Sequence, residues 1–215
     1  MIQYFRDNQG EIVSWLGWHA RLSALPLVFG LIIALPLGWL ARRYRWAYPP
    51  LVTVAGLLYT IPSLALFILL PGLLKTKILD PSNVVVALTI YTVALMVRVV
   101  ADGLAAVPGE VLQAATAMGY RRVGRLMRVE LPIAVPVIAA GLRVAAVSNV
   151  SLVSVSALIG VPELGQLFTN GFQLSYQTPI VLGIILSVVL ALIFDTVIQL
   201  LARLLTPWRR AVGAS

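Results

Sequence analysis

An all-α integral membrane protein with about five transmembrane helices is the fold class this sequence predicts, and three observations predict it. Hydrophobic residues fill 60% of the 215 positions and charged residues only 11%, with a mean hydropathy of +0.96. A soluble domain carries about a quarter charged residues, so this chain lacks the polar surface that water requires. Five apolar stretches each reach the length of about 20 residues that a spanning helix needs. The basic residues, finally, sort to one set of the connections between those stretches.

The elements follow in chain order. Residues 1–21 read as an extracytoplasmic N-terminal interfacial segment. Met1–Gly10 holds polar and acidic residues, unlike a cleavable signal. Glu11–Arg21 carries Trp15, Trp18 and His19, side chains suited to headgroup depth. Residues 22–205 form the transmembrane domain and 206–215 a cytoplasmic tail. Its spans are Leu22–Leu40, Pro49–Leu70, Asn83–Val107, Pro132–Ile159 and Pro179–Leu205. The fourth is long enough to be tilted or broken.

Pro62 has no N–H for the carbonyl of Leu58, so the second span should kink there. Tyr59, Thr60 and Ser63 stand beside the kink, where they can satisfy the freed backbone groups or line a polar route. Ser148, Asn149 and Ser151 in span four invite the same two readings, a polar route or hydrogen bonds between helices. Four charges lie deep within spans: Arg98, Asp102, Arg143 and Asp195. A lone charge at the bilayer centre costs at least about 2.5–3.5 kcal/mol, so pairing is expected. Arg98 and Asp102 lie four apart on one helix, and Arg143 and Asp195 lie at similar depth on successive spans.

Charge sets the orientation. Arg42, Arg43, Arg45, Arg121, Arg122, Arg125, Arg128, Arg203, Arg209 and Arg210 lie in one set of connections, against Arg6, Arg21, Lys75 and Lys77 in the other. Ten against four makes the first set cytoplasmic, and five spans then put the N-terminus outside and the C-terminus inside. The net charge of +8 is therefore assigned to the membrane surface, not to nucleic acid. No cysteine and a single histidine leave no metal cluster or thiol nucleophile to propose. Without a G-x-x-x-x-G-K-[ST] sequence, any ATP hydrolysis must come from a partner.

The most informative segment is 110–132, between spans three and four. Val111, Ala114, Ala115 and Met118 share a face at helical spacing, and Gly119 interrupts the helix. Gln113-Ala114-Ala115 is followed by three residues and Gly119, and nine more lead to Val129-Glu130-Leu131-Pro132. This spacing resembles the cytoplasmic loop of ABC-importer permeases, E-A-A, three residues, G, nine residues, I-x-L-P, with Gln113 in place of the usual glutamate. Tyr59-Thr-Ile-Pro-Ser-Leu-Ala-Leu66 is similar to the Q-T-I-P-S-L-A-L of permeases for glycine betaine, choline and carnitine. Pro36-Leu-Gly38 and the run Leu131 to Arg143 resemble the same group. Tyr91-Thr92 through Arg98 does too, although Ala94–Met96 lack its proline. The group's G-A-G-G-L-G reads Gly160-Val-Pro-Glu-Leu-Gly165 here.

The resemblance implies a type I ABC-importer permease fold with a cytoplasmic coupling helix. It also implies a non-enzymatic subunit in the bacterial inner membrane. Gln113, Ala114, Ala115, Met118, Gly119, Leu131 and Pro132 would then carry the coupling to an ATPase. The implied partners are two cytoplasmic ATPase subunits, which use the ATP and Mg, a second permease copy or close homologue, and an extracytoplasmic solute-binding protein. This chain itself is expected to bind no cofactor. The favoured cargo is a quaternary ammonium osmoprotectant; a polyamine or amino-acid derivative stays open, as does an ATPase-independent secondary transporter.

Overall fold

The computed structural model describes residues 2–44 and 46–208, and every regular element among them is helical. Arg45, Arg209, Arg210 and the tail beyond Trp208 lie outside the described residues. Helix α1 (Ile2–Asp7) leads into α2 (Gln9–Arg43), followed by α3 (Tyr48–Thr60), α4 (Ser63–Leu74) and α5 (Pro81–Ala105). Next come α6 (Gly109–Ala117), α7 (Arg122–Arg125) and a π-turn at Leu126–Glu130 that feeds α8 (Leu131–Val153). A 3₁₀ turn at Ser154–Ile159, then α9 (Gln166–Gln173) and α10 (Gln177–Leu205), complete the chain.

Helix α2 runs without a break through Glu11–Arg21 and beyond the predicted span. Its 35 residues correspond to about 52 Å of helix at 1.5 Å per residue, more than the roughly 30 Å hydrocarbon core. Helix α5 starts where local chemistry says it should. Asp80 accepts the Ser82 N–H at 2.9 Å and Pro81 takes the first helical position, where its missing N–H is harmless. Accepting that bond holds the Asp80 carboxyl below the usual carboxylate range.

Contacts between helices settle their directions. Gly30 lies against Thr92 and Gly38 against Val97 and Val100, so α2 and α5 run parallel. A Cβ at Gly38 would fall 2.6 Å from Val100, so only glycine permits this backbone approach. Gly141 lies against Val99 and Asn149 bonds Thr92, so α8 runs antiparallel to both. Gly183 packs on Leu167 and Phe168 near the start of α10, and Asp195 meets Arg143 further along, which brings α10 back antiparallel to α8.

The α3–α4 pair bends by 101° at the break, far more than a kink. It still crosses the bundle. Tyr48 bonds Asp102 at the end where α5 finishes, and Leu79, just after α4, packs on Gly160 at the other end. Four long apolar helices and this broken one therefore make five crossings. Arg42, Arg43, Arg121, Arg122, Arg125, Arg128 and Arg203 gather at one end of the bundle.

The main core joins α2, α5, α8 and α10 through Ala34, Met96, Val100, Ala134, Ala146 and Ile198. Small residues, Ala134, Ala145 and Ala146, dominate the α8 contribution, which lets the helices close up. Outside it, Ile184, Val188 and Leu192 on one face of α10 are exposed. Such a stripe is suited to lipid.

Candidate functional site

The segment between α5 and α8 is built around one glycine. Helix α6 ends at Ala117, and Gly119 takes φ +84°, a left-handed conformation. The Gly119 N–H donates to Thr116 O at 3.0 Å and the Tyr120 N–H to Ala115 O at 3.1 Å. These two bonds form a Schellman cap, which needs a residue free to adopt positive φ. Nothing lies within 4 Å of where a Gly119 Cβ would stand, so conformation alone requires glycine here.

The expected single face of small residues divides in two. Ala115 is buried, while Gln113, Ala114, Met118 and Gly119 are exposed, Met118 at 69%. Ala115 packs inward, so the outward edge belongs to Gln113, Ala114 and Met118. Downstream, Pro132 cannot donate to the carbonyl four residues back, and the helix widens to a π-turn in which the Leu131 N–H reaches Leu126 O. Leu131 and Pro132 are half-buried, and Leu131 packs on the main core.

Arg125 does not extend toward headgroups. Its Nε bonds Glu130 Oε1 at 2.8 Å and its Nη1 bonds Thr116 Oγ1 at 2.9 Å, bracing α6 against the π-turn. A cavity of about 370 Å³ opens beside this brace, lined by Arg42, Arg43, Arg122 and Arg125 among others.

At the break in α3–α4, the Ile61 N–H takes the carbonyl of Leu58 at 3.3 Å, the acceptor that Pro62 cannot serve. The Thr60 hydroxyl bonds Leu57 O at 2.7 Å. Tyr91 on α5 supplies the remaining donor, its hydroxyl bonding Ile61 O. Tyr59 and Tyr91 meet edge to face at 5.6 Å and, with Ile61, Ser63 and Leu152, line a cavity of about 90 Å³. Tyr59, Thr60 and Pro62 are exposed and Ser63 half-buried.

Asn149 departs from the pathway reading. It is buried, and its Nδ2 donates to Thr92 Oγ1 at 3.1 Å, joining α8 to α5. A side-chain amide finds its partner between helices because lipid offers none. Ser148 is half-buried and Ser151 exposed. Arg143 and Asp195 form a two-point ion pair, Nε to Oδ1 at 2.5 Å and Nη2 to Oδ2 at 2.8 Å. Arg98 and Asp102 approach to 3.5 Å on an exposed face of α5, where Asp102 also accepts the Tyr48 hydroxyl at 2.8 Å.

His19 is the largest departure. Expected at the interface, it is fully buried and bonds Glu163, which the sequence reading noted only as a departure from a glycine-rich pattern. An acidic residue at position 163, within a run flanked by Gly160 and Gly165, was the available signal.

Residues 21–207 match the family described as binding-protein-dependent transport system inner membrane component. The chain belongs to this permease family. The permease is 34% identical over 208 residues to the osmoprotectant import permease protein OsmW of Salmonella typhimurium, covering 96% of this chain and 97% of that one. It is 30% identical to the glycine betaine/carnitine/choline transport system permease protein OpuCD of Bacillus subtilis, covering 98% and 91%. Its fold is shared with the inward-facing MetNI methionine ABC transporter, at TM-score 0.80 and 20% identity over 92% of the permease and 97% of that chain. The permease is thus a multi-pass inner-membrane transport component, non-enzymatic in kind, with a type I importer fold.

Proposed function

We propose that this permease forms the pathway of an ATP-driven importer for a small quaternary ammonium osmoprotectant, in the manner that the names of its relatives describe for them. The observation that carries the coupling half of this reading is the outward edge of α6. Gln113, Ala114 and Met118 stand exposed beside a glycine-capped helix end, a short convex surface that suits a groove on a cytoplasmic ATPase. Ala115 would anchor that edge from behind, Gly119 would end it, and Leu131 and Pro132 at the start of α8 would carry its movement into the bundle. Two ATPase subunits would bind ATP and Mg, and their closure would move the docked segments.

The arginine end would face the cytoplasm, by the excess of positive charge there, and the N-terminus would lie outside. Five crossings wall a pathway on one side only, so a second permease copy or close homologue is needed. A separate binding protein would deliver the solute. Tyr59, Thr60, Pro62 and Ser63, with Ser148 and Ser151, would line the route. The Arg143–Asp195 and Arg98–Asp102 pairs would serve structure. A polyamine or an amino-acid derivative is the second cargo class.

The test is ATP hydrolysis in vesicles containing the permease with its cognate ATPase, second permease if distinct, and binding protein. Glycine betaine, choline, carnitine and a polyamine are compared. Stimulation by a quaternary ammonium solute is expected. Stimulation by the polyamine alone would discard the cargo, and no association with the ATPase would discard the coupling.

A further inference from the structure

The end of the bundle opposite Arg42, Arg43, Arg121, Arg122, Arg125 and Arg128 holds a buried ionisable pair with no part in the coupling or pathway described above. His19 on α2 and Glu163 in the 160–165 turn are both fully buried, with His19 Nδ1 2.8 Å from Glu163 Oε2. His19 Nε2 lies 3.0 Å from the carbonyl oxygen of Val150 on α8. A carbonyl can only accept, so Nε2 carries a hydrogen. Glu163 Oε2 also accepts the Gly165 N–H at 2.6 Å. An ionised Glu163 would accept from both the Gly165 N–H and an Nδ1–H, and the ion pair proposed below takes the ring in that doubly protonated form.

The pair therefore joins three elements: α2, α8 and the turn that leads to α9. The carboxylate is also the internal strut of that turn. A Cβ on Gly165 would collide with Glu163 Oε1 and the Ser154 carbonyl, so the backbone is folded closely around it. Glu163 Oε1 and the hydroxyls of Ser23 and Ser156 are buried without a partner. Among the described residues no other side-chain hydrogen bond links α2 to the 160–165 turn, and removing one member of an ion pair there would strand its partner's charge in the interior.

We propose that His19 and Glu163 are positioning residues for transport. Their ion pair seats the 160–165 turn, and with it α9, against α2, and so sets the packing where α10 begins its return. The transport arm of this inference rests on the importer reading above; the seating arm does not.

The permease contains no cysteine and one histidine, so both arms can be read site-specifically. Val161 is buried in the turn, and V161C is expected to resist a thiol reagent in the assembled transporter. Adding E163Q or H19L should raise its modification rate on the order of tenfold, as for a local opening. Solute taken up per ATP hydrolysed should fall several-fold with the ATPase still bound. The double variant should be no worse than either single one, because both act through one contact. Unchanged protection, additive effects, or unchanged uptake per ATP would each overturn the proposal. Nitrogen NMR of the ¹⁵N-labelled histidine in the unsubstituted permease needs no variant to fold. It should show both ring nitrogens bearing hydrogen, and a neutral ring would overturn the ionic tie. If the unsubstituted transporter fails to couple ATP to uptake, the importer reading falls while V161C still reports on the pair.

Discussion

The guanidinium of Arg143 and the carboxylate of Asp195 meet fork to fork across α8 and α10, with both bonds at or below 2.8 Å. Within a membrane each charge needs the other. Arg143→Ala or Asp195→Ala should lower the yield of folded permease several-fold. The reversed pair R143D/D195R should recover part of it, whereas R143K should not match the parent, because an ammonium cannot make the two-point contact. Yield is read by size-exclusion chromatography in detergent; equal yields for all variants would show that the pair adds nothing.

Gly119 is required for its φ of +84° and not for space. Gly119→Ala should cost about 1–2 kcal/mol at the Schellman turn and shift the end of α6. The ATPase should co-purify several-fold less well while the permease still reaches the membrane at parental level. Parental co-purification would remove the turn from the docking surface.

Ala114 and Ala115 are neighbours with opposite duties. Ala114→Leu adds bulk to the exposed edge and should block ATPase association while thermal stability stays parental. Ala115→Leu overfills a buried position and should cost about 1–3 kcal/mol of stability. Paired thermal-shift and co-purification assays decide this, and the opposite pattern would reverse the assignment of faces.

Tyr91 holds the break in α3–α4 through the Ile61 carbonyl. Tyr91→Phe leaves that acceptor without its donor, a loss of about 1–3 kcal/mol, and should lower both the thermal midpoint and uptake. Tyr59→Phe keeps the ring at the edge-to-face contact and should be close to neutral for stability. Similar destabilisation by both would mean that the hydroxyl of Tyr91 is not what holds the bend.

Much of the candidate site was legible because its chemistry is local. The spacing from Gln113 through Gly119 to Pro132 implies a short helix, a stop and a restart, and each is visible in backbone bonding. Pro62 marks the break in the second span for the same reason, since a missing N–H acts on its own turn of helix. What the spacing could not resolve was the rotation of α6. Ala114 and Ala115 are equivalent in pattern, and only packing against the rest of the chain turns one inward.

By itself, the sequence determined that the chain lives in a bilayer, crosses it about five times and gathers most of its arginines at one end. These follow from apolar length and charge order, which need no long-range contact. Only the tertiary structure decided that the break at Pro62 is a 101° bend, that Asn149 serves Thr92, and that Arg125 braces α6. It alone joined His19 to Glu163, 144 residues away. Buried polar groups must find partners wherever the fold brings them, and that place is a property of packing, not of neighbouring residues.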